Sequence, residues 1–234
     1  MRRGWLALTL SVVALSVVAL ALVVPARAQV RTAWLTEVAE RYRAWGRVDD
    51  RAHWAPWDCL MPLPAMARVS RDSGGPHDRK LYFVYASDRD AYVRIATGGT
   101  GEPPVGLTVV KEAYHPRALD GSEHLDLSNG FVLPPSPYLP VGALPPERMA
   151  SDLSYRPAVD EAGRLHRVGD PGGLFVLRYV GRRRGTDEGW VYGTVDAEGH
   201  VTSSGVVESC AGCHRVAPHG HLFGLPDDAL TPRR

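Results

Sequence analysis

Cys210-Ala211-Gly212-Cys213-His214 gathers two thiols and an imidazole into five residues, in the order C-x-x-C-H. Thiols three positions apart can each add across one vinyl group of a haem, and the histidine that follows can reach the iron. This is the attachment pattern of a c-type haem. The competing readings are a surface disulfide and half of a zinc site. Zinc would need a second Cys/His pair at ligand spacing. The remaining cysteine, Cys59, stands alone, and there is no second C-x-x-C. With Cys210 and Cys213 committed to haem, Cys59 has no intramolecular partner. It reads as a small buried apolar residue or as an intermolecular or reactive thiol.

Lysine is scarce in this chain. Beyond residue 28 there are two, Lys80 and Lys111, against 22 arginines. Where arginine is the default cation, a lysine points to a need for the amine. An amine can lose its proton and act as a nucleophile, and guanidinium cannot. Strand alternation puts Lys111 on one face with Leu107, Val109 and Ala113. An ammonium there is costly unless paired or deprotonated, although a lysine near a strand end can also snorkel to water. Glu112 should point the other way. Lys80, at a strand start, reads as an ordinary surface or pairing residue.

The beginning of the chain sets the compartment. Met1-Arg2-Arg3-Gly4 precedes an apolar run from Trp5 to Val24, and Ala26-Arg27-Ala28 follows. Positive start, apolar middle and small-x-small end describe a secretory signal peptide over 1–28. The apolar run is also about long enough to span a bilayer, so an uncleaved anchor is the alternative. Either places residues 29–234 in the periplasm or another extracytoplasmic space, as one domain of sufficient length for a core. Without the three arginines of residues 1–28, 24 Lys and Arg face 26 Asp and Glu. This balance points to neither nucleic acid nor an anionic membrane as partner.

Several elements must position the motif. Trp34, Val38, Tyr42 and Trp45 recur at helical spacing, predicting a helix over 31–48. Prolines at 56, 62 and 64 then give an irregular segment. Leu81 to Ala86 reads as a strand, followed by a helix capped by Ser87-Asp88 and running to about Thr97. Val105 to Tyr114 is a second strand, and 115–170 read as long loops. Strands over 174–180 and 190–195, joined by a short charged turn, should pair antiparallel. The haem motif then sits on a short helix near the C-terminus. Small electron-transfer cytochromes carry the motif early and often take a later methionine as sixth ligand; no methionine follows His214 here. The four-helix cytochromes c′ have no strands.

The chain resembles the cytochrome P-460 family, including the β-sheet cytochromes c′-beta. The resemblance rests on Lys80-Leu81-Tyr82-Phe83-Val84-Tyr85-Ala86, Asp90-Ala91-Tyr92, Leu107 to Glu112, Gly173 to Tyr179, Gly189 to Thr194 and Cys210 to Arg215. It runs from about residue 30 to 225. It implies an α+β fold: an antiparallel β-sheet with flanking helices and a C-terminal c-type haem motif, commonly in a homodimer. It implies one covalently bound haem with five-coordinate iron, His214 as the metal ligand, and an open face that takes a small nitrogen compound. P-460 members oxidise hydroxylamine; c′-beta members bind nitric oxide. By motif, the lysine that P-460 proteins bond to the haem edge falls on Lys111, making it a catalytic as well as cofactor-binding candidate. A soluble redox partner would take the electrons.

Other residues carry weaker expectations. His53, His115, His124, His166, His200, His219, His221, Met61 and Met66 could each supply a sixth ligand, and each also reads as a loop residue. His219 and His221 should stay on the motif's own side of the haem. Glu208 and Asp126 are candidate proton acceptors. Arg182-Arg183-Arg184 reads as a docking patch or as a solvated turn balanced by Asp187 and Glu188.

Overall fold

The computed structural model describes residues 32–45, 47–48, 53–54, 80–120, 131–138, 154–160 and 162–224. The signal-peptide reading of 1–28, together with Cys59, Met61, Met66, His124 and Asp126, falls outside these residues, as does the side chain of His53. Among the described residues no helix is long and apolar enough to cross a membrane.

Helix α1 occupies residues 32–41 and tightens into a 3-10 turn at Tyr42–Trp45. Its buried side chains are Leu35, Val38, Ala39 and Tyr42, the i, i+3, i+4, i+7 face of a helix. Trp34 and Trp45 flank that face, partly buried against the same core. Burying an aliphatic or aromatic side chain of this kind contributes roughly 1.5–3 kcal/mol, so this face fixes the helix to the sheet.

Strand β1 is His53–Trp54 and β2 is Leu81–Ala86. Helix α2, Arg89–Ala96, begins where expected because Asp88 accepts a hydrogen bond from the Ala91 N–H at 2.9 Å. Strand β3 runs Thr108–Ala118, later at both ends than the sequence suggested; Val105 is 75% exposed. Short strands β4 (Phe131–Val132), β5 (Ser154–Tyr155) and β6 (Ala158–Val159) follow. Strand β7 is Leu165–Tyr179, nine residues longer at its start than expected. Strand β8 is Trp190–Val195, and β9, Val201–Gly205, was not anticipated. Helix α3, Glu208–His214, carries the C-x-x-C-H motif.

Seven of these strands make one sheet in the order β1-β2-β3-β7-β8-β9, with β6 also on β7. Every pairing is antiparallel. The fold is therefore α+β with an antiparallel sheet and flanking helices. The early start of β7 is possible because its Gly169-Asp170-Pro171-Gly172 stretch coincides with register shifts against β3 at Tyr114 and Pro116. Bulges there accommodate residues that would otherwise end a strand.

The two faces of the sheet bury different clusters. One face takes α1: Leu81, Phe83, Tyr85, Val110, Tyr114, Leu174 and Val176 pack with Leu35, Val38 and Tyr42. The other takes α2 and α3: Ala86, Val109, Leu177, Tyr179, Trp190 and Tyr192 pack with Tyr92, Ile95 and Ala211. Alternation along β3 decides which residues face which helix.

Candidate functional site

Helix α3 lies on the second face through Ala211, which is fully buried. Cys210 packs partly buried against the same cluster, and Gly212 is exposed. Cys210, Cys213 and His214 follow an i, i+3, i+4 pattern, so one helical turn presents all three on neighbouring positions. Cys210 and Cys213 are half-buried, free thiols. Burial pushes the Cys210 thiol up; a hydrogen bond with Ser209 opposes this and Cys213 adds to it.

His214 is oriented by the chain that follows it. Its Nδ1 lies 2.6 Å from the main-chain oxygen of His221. A carbonyl only accepts, so Nδ1 carries the proton and donates, and Nε2 is left with the lone pair. The ring is held between Tyr192, at 5.6 Å between centroids, and Phe223, at 5.0 Å. Its pKa lies below the ordinary imidazole value. Burial is the main cause; the His221 carbonyl opposes it, and electrostatic interaction with the His221 and Lys111 side chains adds to it. A neutral ring with a bare Nε2 is the state that binds iron.

Lys111 pairs with Val84 on one side and Phe175 on the other, on the face that carries α3. Its Nζ is 4.6 Å from the centre of the Tyr82 ring and 5.6 Å from that of Phe175. Lys80 reaches the same place: its Nζ is 5.7 Å from the Phe175 ring and donates to the Gly172 carbonyl at 3.2 Å. Both lysines therefore converge on Phe175; Lys80 was read as an ordinary surface or pairing residue, and its bond to the Gly172 carbonyl fits the second, while its place beside Phe175 was not expected. Their shared face follows from the β2–β3 register, which only the sheet supplies.

Glu112 turns to the opposite face. Its Oε1 accepts from Tyr42 at 2.5 Å and from Arg43 at 2.6 Å, with both charged side chains 2% exposed. The carboxylate is structural, and it lies across the sheet from the motif. A groove of about 430 Å³ also lies on this face, lined by Glu37, Arg41, Trp45, Thr108 and Arg178 among others. It holds none of the motif residues.

The remaining candidates separate by position. His166 is buried 2.9 Å from an oxygen of Asp160, and His200 is exposed beside Asp196. His115 is exposed on β3. Glu208 forms an exposed ion pair with Arg215 at 2.7 Å. Arg182 pairs with Glu102 at 3.0 Å and more loosely with Glu188 at 3.5 Å. Asp187 does not balance the arginine turn as expected; it turns inward to Arg215 at 2.7 Å. Sequence reasoning missed Asp187 and Tyr192, and no local pattern marks them.

The donor set fits a haem. Two accessible thiols and one imidazole with Nε2 bare are what covalent attachment with a single protein ligand requires. Among the described residues no group of three or more His, Cys, Asp or Glu could hold a metal ion directly. Porphyrin-bound iron needs no such group, because the macrocycle supplies four of its ligands. No protein-family model, curated protein or solved structure matches the chain.

Proposed function

We propose that the chain is an exported mono-haem c-type cytochrome of the P-460 type that binds and oxidises a small nitrogen compound such as hydroxylamine. One observation carries this reading. The imidazole of the C-x-x-C-H motif is locked through Nδ1 onto the His221 carbonyl, on the turn that also presents both thiols. A bare disulfide has no use for that lock, and a zinc site, which would use it, needs further Cys or His ligands that the described residues do not gather here.

Cys210 and Cys213 would hold the group by thioether links, and His214 Nε2 would be its axial ligand. When bound, the haem supplies a metal site for the nitrogen compound and a sink for its electrons, which a soluble redox partner removes. The protein contributes a half-buried imidazole whose pKa lies below the ordinary value and an amine, Lys111, on the same face of the sheet. That shared face supports Lys111 as the residue joined to the haem edge.

Denatured, purified protein should show a pyridine haemochrome spectrum of one haem per chain. The native ferrous Soret band should lie well to the red of ordinary c-type haem, and hydroxylamine should be consumed in the presence of an electron acceptor. No haemochrome absorbance ends the haem assignment, and a haem protein inert to hydroxylamine ends the enzymatic one.

A specific observation favours a second reading, a nitric oxide-binding protein of the c′-beta type. The Lys111 amine sits against Tyr82 and Phe175 as a cation against aromatic faces, a seat that satisfies it with no covalent bond. An ordinary high-spin c-type spectrum would select this reading.

A further inference from the structure

Three groups around His214 meet at one carboxylate. Asp187 is 7% exposed, in the turn between β7 and β8. The turn is closed by reciprocal main-chain hydrogen bonds between Asp187 and Trp190, each 2.9 Å. Glu188 has φ 50° and Gly189 φ 102°; a Cβ at Gly189 would lie 2.3 Å from the Tyr179 ring. This tight geometry sends the Asp187 side chain inward. Its Oδ1 accepts from Arg215 Nε at 2.7 Å, and its Oδ2 accepts from the Tyr192 hydroxyl at 2.7 Å. His221 Nε2 is 3.4 Å from Oδ2, an electrostatic contact and not a hydrogen bond.

Each of these groups bears on the imidazole. Arg215 is the next residue along the chain. Tyr192 lies against the His214 ring. His221 supplies the carbonyl to which His214 Nδ1 donates, and it does so from a strained backbone with φ 74°. A non-glycine residue holds that conformation only where its surroundings fix it. Here the buried imidazole of His221 is set between Asp187 and the ring of Trp190, with centroids 6.1 Å apart.

We propose that Asp187 is the positioning residue for His214, fixing the His221 carbonyl and thereby the tautomer and basicity of the axial imidazole. This rests on the haem reading above and names a residue that reading does not require. A carbonyl pressed onto Nδ1–H makes Nε2 more electron-rich. Removing the Asp187 charge should relax the strap over residues 215–221, weaken that hydrogen bond and leave a less basic ligand.

The test uses the haem-loaded protein. In Asp187→Asn, haem per chain should stay at the wild-type value, because the cysteines hold it. The ferrous iron–histidine stretching band in resonance Raman should move to lower frequency, and the reduction potential should rise. Asp187→Glu should return part of the wild-type frequency. Arg215→Gln changes a side chain that is 41% exposed; it removes one anchor without touching the core and should give a smaller shift in the same direction. An unmoved band in Asp187→Asn, or in Arg215→Gln if the first variant does not fold, overturns the proposal. If the wild-type protein carries no haem, the haem reading fails on its own account, and Asp187 is then judged by the nitrogen NMR shifts of His214. Loss of the Nδ1-protonated form in the variants supports positioning, and unchanged shifts overturn it.

Discussion

Lys111 and Glu112 are adjacent in sequence and occupy opposite faces of the sheet, the amine above the Tyr82 ring and the carboxylate against Arg43 at 2.6 Å. One strand thus turns one residue to the face that carries α3 and anchors α1 with the next. The two roles can be perturbed separately.

Lys111→Arg keeps the charge and removes the nucleophilic amine. Haem content should be unchanged, and any red shift of the ferrous Soret band should disappear. Lys80→Arg should leave the band where it was. A band that moves with Lys80 and not with Lys111 would transfer the cross-link to Lys80, which the structure places beside the same phenylalanine.

Glu112→Ala leaves Arg43 buried with its charge unmatched. Breaking one side of a buried pair costs about 3–5 kcal/mol, and urea titration should show the midpoint falling by a corresponding amount. The optical spectrum should be unaffected while the protein remains folded. A loss below about 1 kcal/mol would mean that the pair is dispensable for holding α1.

The tyrosines around that carboxylate predict an alkaline limit. Tyr42, Tyr85 and Tyr114 are all held well above the ordinary phenol value, by burial first and by Glu112 second. A folded-state pKa raised above the unfolded one favours the native state below the unfolded value. That stability is lost as pH rises past it. Stability should therefore fall from near pH 10, by up to about 1.4 kcal/mol per pH unit for each tyrosine. Thermal unfolding followed between pH 9 and 12 reads this slope, and Tyr42→Phe should flatten it.

Gly193 lies where β8 passes beneath α1. A Cβ there would come within 2.4 Å of the Leu35 methyl groups, and Leu35 is fully buried. Gly193→Ala should cost about 1–3 kcal/mol as overpacking, read as a lower urea midpoint with the same m value. A neutral result would show that α1 can shift away from the sheet.

How much of this was readable beforehand depended on whether each signal is local. Strands β2 and β8 were legible because aromatic and β-branched residues dominate short runs bounded by turn residues, with Gly193 the one interruption in β8, and α2 because Asp88 caps it. The start of β7 was not, since Gly169-Asp170-Pro171-Gly172 reads as a break. These residues stay in the strand only because β3 bulges opposite them. Strand β9 was missed because Thr202-Ser203-Ser204-Gly205 carries no apolar pattern; it is held at the sheet edge by pairing with β8. At the site, the thiols and His214 were legible by spacing alone. The carbonyl of His221 has no side-chain signature, and Asp187 meets Arg215 only across 28 residues of chain.

The two spacer residues inside the motif are not equivalent. Ala211 is enclosed at 0% exposure, so a bulkier neighbour to Cys210 would lever the helix off the sheet and carry both sulfurs with it. A Cβ on Gly212 would meet nothing within 4 Å, and replacing glycine inside a helix favours helix formation by up to about 1 kcal/mol. Sequence drift should thus be confined to small side chains at the first spacer and be broad at the second, an asymmetry that the bare C-x-x-C-H formula hides.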